Sequence, residues 1–291
     1  MRLSKGILCM IILPLRLLAQ ADTADVQPSR PASEIYKPAK RHGEKMYYIH
    51  KAIDYPVTLV VGLESIYALS VIYSKNPTSV NDINNLNKNN IPVFDRWSTK
   101  YYDPNIDRIS YYPFYGVMPL PLILLFDKRI AKDKGTVGML YLEAFAFEGF
   151  LYTSSGYLAN RYRPFVYNSS LPVKDRVNGN YRNSFFAGHV AVVANATFFT
   201  AKVFNDYHPK AGIRWVLYGG AALATMGMGY LRLTAGQHFP SDIFTGALVG
   251  TACGILTPAI HKNRDFKKQK WSMSPGIFDK GETGFTFTYK L

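Results

Sequence analysis

Cysteine is nearly absent: the 291-residue chain has two, Cys9 and Cys253. They lie in an N-terminal apolar run and a late apolar segment, so no disulfide framework follows. No cysteine–histidine group has the spacing of a zinc site either. Charge is also scarce. Only 19% of residues are charged, and 20 acidic residues face 34 basic ones, for a formal net charge of +14. A basic chain raises nucleic acid as a partner. No recognition-helix motif or aromatic–basic RNA motif is present, however, and the basic residues sit between apolar runs, as in Asp127 to Lys134 and Lys262 to Lys268. Short basic loops beside apolar helices fit a membrane surface and not a nucleic acid. Low-complexity tracts and short repeats are lacking, which leaves one large domain or two small ones.

What is abundant is apolar surface. Hydrophobic residues make up 48% and aromatics 14%, and they cluster into segments at 54–74, 112–126, 136–160, 184–204, 213–233 and 240–260. Most approach the ~20 residues needed to cross a hydrocarbon core. The second is short and carries Pro113, Pro119 and Pro121, so a kink is expected there. Glu64, Glu143 and Glu148 lie inside segments and should face a helix bundle, because carboxylates are costly in lipid. The expected fold is all-α: a six-helix transmembrane bundle over 54–262, with a short C-terminal β-hairpin in the basic tail 263–291. Residues 1–21 read as a signal peptide or an N-terminal anchor, with Arg2 and Lys5 before an apolar run and Ala19-Gln20-Ala21 after it. Residues 22–53 read as a linker and juxtamembrane segment. Loop charge places the ends before the first, third and fifth segments and after the sixth on the cytoplasmic side. A cleaved signal would place residue 22 outside, so the two readings conflict. A mean hydropathy of −0.06 keeps a soluble secreted helical protein as the alternative.

Chemistry-bearing residues gather at the segment ends. In Arg232-Leu233-Thr234-Ala235-Gly236-Gln237-His238-Phe239-Pro240-Ser241-Asp242, Pro240 suits the first turn of a helix. His238 would then stand at a helix N-terminus, where anions are favoured. Asp242, four residues on, is expected to bond one imidazole nitrogen and leave the other free to attack. Arg232 supplies a planar cation for phosphate oxygens. In Ser184-Phe185-Phe186-Ala187-Gly188-His189, Ser184 is the expected N-cap, Gly188 permits close backbone approach, and His189 is a candidate proton donor. Asn160-Arg161-Tyr162-Arg163-Pro164 closes the third segment. The charge-derived topology puts all three stretches on one outer face. Taken singly, each has a plain structural reading: a core histidine, or an arginine snorkelling to headgroups. His42, His50, His208 and His261 fall outside the stretches and are expected in solvent.

Together, in this order, the stretches resemble the signature of the phosphatidic acid phosphatase type 2 / vanadium haloperoxidase superfamily. That signature reads Lys-x6-Arg-Pro, Pro-Ser-Gly-His and Ser-Arg-x5-His-x3-Asp. Arg163-Pro164, Gly188-His189 and Arg232, His238 and Asp242 match it at the right spacing. Gly156 stands in place of the lysine, Phe186-Ala187 in place of Pro-Ser, and Leu231 in place of the third-motif serine. The resemblance implies a membrane lipid phosphatase working through a phosphohistidine, without metal or cofactor. His238, His189 and Asp242 would be catalytic, and Arg163, Arg232 and Gly188 would bind phosphate. Arg161 is a candidate replacement for the lost lysine. The implied setting is a bacterial inner membrane with the site facing the periplasm. The implied partners are a lipid phosphate and the membrane, with no nucleic acid; the oligomeric state stays open. The alternatives are a weakened or inactive lipid-phosphate binder on the same fold and a soluble secreted acid phosphatase, with a haloperoxidase or a transporter behind them.

Overall fold

The computed structural model describes residues 45–263, 271–277 and 283–289. The signal-like segment, most of the linker and Cys9 lie outside them. The long helices are α1 (Lys51–Tyr73), α2 (Pro104–Val117), α3 (Lys134–Ala159), α4 (Gly188–Tyr207), α5 (Arg214–Thr234) and α6 (Pro240–Ile260). The protein is mostly helical, and the stretches Lys51–Tyr73, Pro104–Phe126 and Pro240–Ile260 are long and apolar enough to cross a membrane. Strands β1 (Trp271–Ile277) and β2 (Thr283–Tyr289) pair antiparallel, Trp271 opposite Tyr289 and Ile277 opposite Thr283.

Helix ends follow local chemistry. Asp103 accepts from the N–H groups of Asn105 and Ile106 and starts α2, with Pro104 in the first position. That helix therefore begins eight residues before the expected segment. It ends at Val117, and the proline-bearing stretch Leu120–Phe126 continues as a 3-10 helix. Ser184 does not cap α4. The helix begins at Gly188, with Ala187 as its N-cap and no side-chain cap.

α4 is the most buried helix, packed against α3, α5 and α6. Several of its polar residues are bonded within the bundle. Thr197 and Thr200 donate to carbonyls one turn back, and Asn195 donates to Glu148 at 2.8 Å. Glu148 is buried as expected of a bundle-facing carboxylate. α6 meets α4 through Gly246, Gly250 and Gly254. A Cβ on Gly250 would stand 2.1 Å from the Ala191 carbonyl oxygen, and one on Gly246 would stand 2.5 Å from that of Ala187. Small residues every fourth position let the two backbones touch. Gly250→Ala should therefore cost roughly 1–3 kcal/mol by forced separation. Gly220→Ala, with nothing within 4 Å of the added carbon, should not lower the melting temperature in detergent. Equal melting of the two variants would contradict the close-packed seam.

At the opposite helix ends, Met46 and Tyr47 are buried, and residues 46–48 pair with the end of α6, Tyr48 N–H donating to His261 at 2.8 Å. The burial of Tyr47 ties this juxtamembrane end of the segment 22–53 to the helices. Tyr47, Lys202 and Lys262 converge on Asp206. His208 and His261, expected in solvent, are instead paired: His208 with Asp127 at 2.8 Å, and His261 with Asp54 at 3.3 Å.

Candidate active site at the helix ends

Backbone hydrogen bonds stitch the three sequence stretches together. Ser184 N–H donates to Arg161 O at 3.0 Å, Ala187 N–H to Asp242 O at 3.0 Å, and Phe165 N–H to Gly236 O at 3.2 Å. Two left-handed residues aim the chain. Asn160 (φ 43°) ends α3 and turns it toward Arg161 and Arg163. Gly236 (φ 73°) closes α5 in a Schellman motif, in which Gly236 N–H donates to Leu233 O and Gln237 N–H to Arg232 O. That reversal sets His238 one residue before the N-cap of α6.

His238 is buried, and its Nδ1 lies 2.7 Å from the carbonyl oxygen of Ser184. A carbonyl only accepts, so Nδ1 carries the proton and Nε2 keeps its lone pair. Burial, then Arg163, Arg232 and His189, hold its pKa well below the usual histidine value, so the ring is neutral at pH 7. The expected bond from Asp242 to His238 is not the one formed. Asp242 instead accepts from Ser184 Oγ (2.6 Å), Phe239 N–H (2.9 Å) and Arg161 Nη1 (2.5 Å). Three residues into α6, its carboxylate folds back onto the helix start, which carries it away from the imidazole. Its link to His238 runs through Ser184, whose hydroxyl donates to Asp242 and whose carbonyl oxygen accepts from His238.

Arg161 is not a stand-in for the missing lysine. Its guanidinium bridges two fully buried carboxylates, Asp242 and Asp95 (2.8 Å), and lies over the Phe239 ring at 4.1 Å. The backbone at Gly156 does receive an ammonium, that of Lys75, at 2.8 Å from its carbonyl oxygen. Burial, then Arg182, push the Lys75 pKa down to about 8. Its second contact, Asn160 Oδ1 at 3.1 Å, makes it a cap on the end of α3.

The remaining residues are brought together. Arg232 is fully buried; its Nη1 donates to Asp107 (2.6 Å) and Ser110 (2.8 Å). Among the described residues its Nε and Nη2 are buried with no partner, as are Arg163 Nε and His189 Nε2. Arg163 Nη1 donates to Gln237. His189 lies between Phe114 and Tyr111, at centroid distances of 4.2 and 4.8 Å, and Tyr111 also lies under Arg232 at 5.8 Å. The charges of Arg163 and Arg232 act on both imidazoles. Unpaired buried N–H groups are costly, and three of them beside two imidazoles and a helix N-terminus are donors that an anion could satisfy. Gly188 opens that helix, and a Cβ there would meet the Tyr152 ring at 2.9 Å.

Asp107, Ser110, Tyr111, Phe114, Asp95, Gln237 and the Ser184 carbonyl escaped the sequence reading. For the first four a signal existed: Asp103-Pro104 is a helix start that carries α2 back over them. The other contacts join distant positions and leave no local trace. Among the described residues no group of three or more His, Cys, Asp or Glu is arranged to hold a metal.

No curated protein and no solved structure matches the chain. A family model described as PAP2 superfamily matches residues 137–266, which take in Arg163, His189, Arg232, His238 and Asp242. Over this segment, somewhat less than half of the chain, the protein is similar to the PAP2 superfamily.

Proposed function

We propose that the protein is a membrane lipid phosphatase that hydrolyses a phosphomonoester or diphosphate through a phosphohistidine. PAP2 phosphatases act on lipid phosphates, and the apolar helices suit a membrane setting. The observation that carries the reading is the set of buried, unpartnered nitrogens of Arg163, Arg232 and His189 around a neutral His238. A tetrahedral anion supplies the acceptors that these N–H groups lack. In the first step, His238 Nε2 attacks phosphorus in line; the P–O bond to the lipid breaks, and the leaving oxygen takes a proton from His189, which the negative charge of the bound phosphate holds as imidazolium. In the second, His189 takes a proton from water, which attacks phosphorus and breaks the P–N bond. Arg163, Arg232 and the N–H groups at Gly188 hold the non-bridging oxygens. All of these groups stand at the end of α3, the start of α4, the end of α5 and the start of α6, so the substrate would enter from one membrane face. Loop charge makes that the outer face.

Protonation of the nucleophile abolishes attack, and a lowered pKa moves that loss to lower pH. The acid limb of kcat/KM should therefore lie below about 6.5, the ordinary histidine value. A pH–rate profile on purified protein checks this, and an ascending limb centred above that value runs against a buried neutral nucleophile. The reading itself is tested by phosphate release from phosphatidic acid, an isoprenyl diphosphate and lipid A. Release from none of them, with orthovanadate still bound, would favour a binding protein that has lost turnover, the alternative suggested by Gly156, Ala187 and Leu231.

A further inference from the structure

The departures at Gly156 and Ala187 leave the start of α4 without a side-chain hydroxyl or a lysine cation of the expected kind. Another side chain occupies that place. Tyr152 lies one turn before Gly156 on α3. Its ring runs along Gly188, whose ideal Cβ position is 2.9 Å from Tyr152 Cε2 and 3.2 Å from Cζ. The same ring meets Phe186 at 5.8 Å between centroids. The ring edge thus lies over the first residue of α4 and beside Phe186, the two neighbours of Ala187. Its hydroxyl is 3.2 Å from that of Tyr73, its one hydrogen-bond partner among the described residues. Arg163 and Arg232, which act on His238, act on this phenol as well. The Tyr73 ring is half-exposed and carries the pair outward.

We infer that Tyr152 is a substrate-binding residue whose O–H donates to a non-bridging phosphate oxygen at the N-terminus of α4. Tyr73 donates to the Tyr152 oxygen and so turns the Tyr152 proton toward the anion. A phenol replaces the lost serine hydroxyl from a different helix, and it adds a donor without adding a third charge beside two guanidinium groups. The inference rests on the phosphate-site reading above.

The test uses the full chain purified in detergent, with orthovanadate binding measured by calorimetry and turnover by phosphate release. Tyr152→Phe keeps the ring against Gly188 and Phe186 and removes only the oxygen. Its vanadate Kd should rise at least about tenfold, as for a lost hydrogen bond to a charged group, with a matching fall in kcat/KM. Tyr73→Phe, which removes only the orienting link, should cost less. Measuring below each variant's melting midpoint keeps a folding defect from mimicking the result. Wild-type vanadate affinity in Tyr152→Phe, alongside weakened binding in Arg232→Met, would overturn the inference while leaving the phosphate site standing. A wild-type protein that neither binds vanadate nor releases phosphate removes the phosphate site, and this inference with it.

Discussion

Alanine at position 238 should lower phosphate release by on the order of 10⁴-fold or more, the scale of losing a covalent nucleophile. The substitution removes the proposed nucleophile, and among the described residues no neighbour is placed to replace it. Ser184 is committed to Asp242, and its carbonyl oxygen accepts from His238 Nδ1. His189 is held between Tyr111 and Phe114. The effect should fall on kcat, since Arg163 and Arg232 still hold the anion and vanadate affinity should survive. His189→Ala gives the contrasting pattern. Loss of a general acid costs roughly 10²–10⁴-fold and should shrink with a p-nitrophenyl ester, whose leaving oxygen needs no proton. Rapid-quench trapping separates the two: His189→Ala should accumulate an acid-labile, base-stable phosphoenzyme on that ester, and His238→Ala should form none. Substantial turnover in His238→Ala would remove the mechanism.

The sequence carried the ends of α5 and α6 well because caps and breakers are local, while it misplaced the starts of α2 and α4. Pro240 starts α6, Gly236 ends the α5 turn, and the motif spacing from Arg232 to Asp242 fits one reversal between two helices. Those same residues made His238 and the two arginines legible as a cluster. What the spacing could not give is which partner each side chain takes. A distance of four residues suggested that Asp242 bonds His238, yet the first turn of α6 offers its own N–H to that carboxylate and Arg161 offers a stronger charge. The atom that fixes the imidazole is a main-chain oxygen, which any residue at 184 would supply. Arg232 pairs with Asp107 across 125 positions of chain, a separation at which no pattern speaks. The close seam between α4 and α6 was open to reading, since Gly246, Gly250 and Gly254 recur every four residues opposite small ones. It needed the register of two helices to become a contact.

Arg161→Ala should cost about 3 kcal/mol of stability, the low end of the ~3–5 range for breaking a buried ion pair, because its side chain keeps 22% exposure. Asp95 and Asp242 are both fully buried, and among the described residues the guanidinium is the one cation they share. Ser241 and Ser184 donate hydroxyls to them, at 2.5 and 2.6 Å, which softens the loss without neutralising either charge. Arg161→Lys should recover less than half. A single ammonium lacks the fork that reaches Asp95 through Nη2 and Asp242 through Nη1. Thermal melting in detergent measures the loss, and a double-mutant cycle with Asp95→Asn should show coupling of at least about 1 kcal/mol between groups that share a network. The consequence for chemistry runs along the same bonds. Without Arg161, Asp242 is free to relax, Ser184 loses a fixed hydroxyl partner, and the carbonyl holding His238 Nδ1 loosens. Folded Arg161→Ala protein should therefore show a lower kcat with little change in vanadate affinity, since Arg163 and Arg232 are untouched. If kcat in the folded fraction were unchanged, the bridge would serve stability alone, and the link from Asp242 through Ser184 to the nucleophile would be broken.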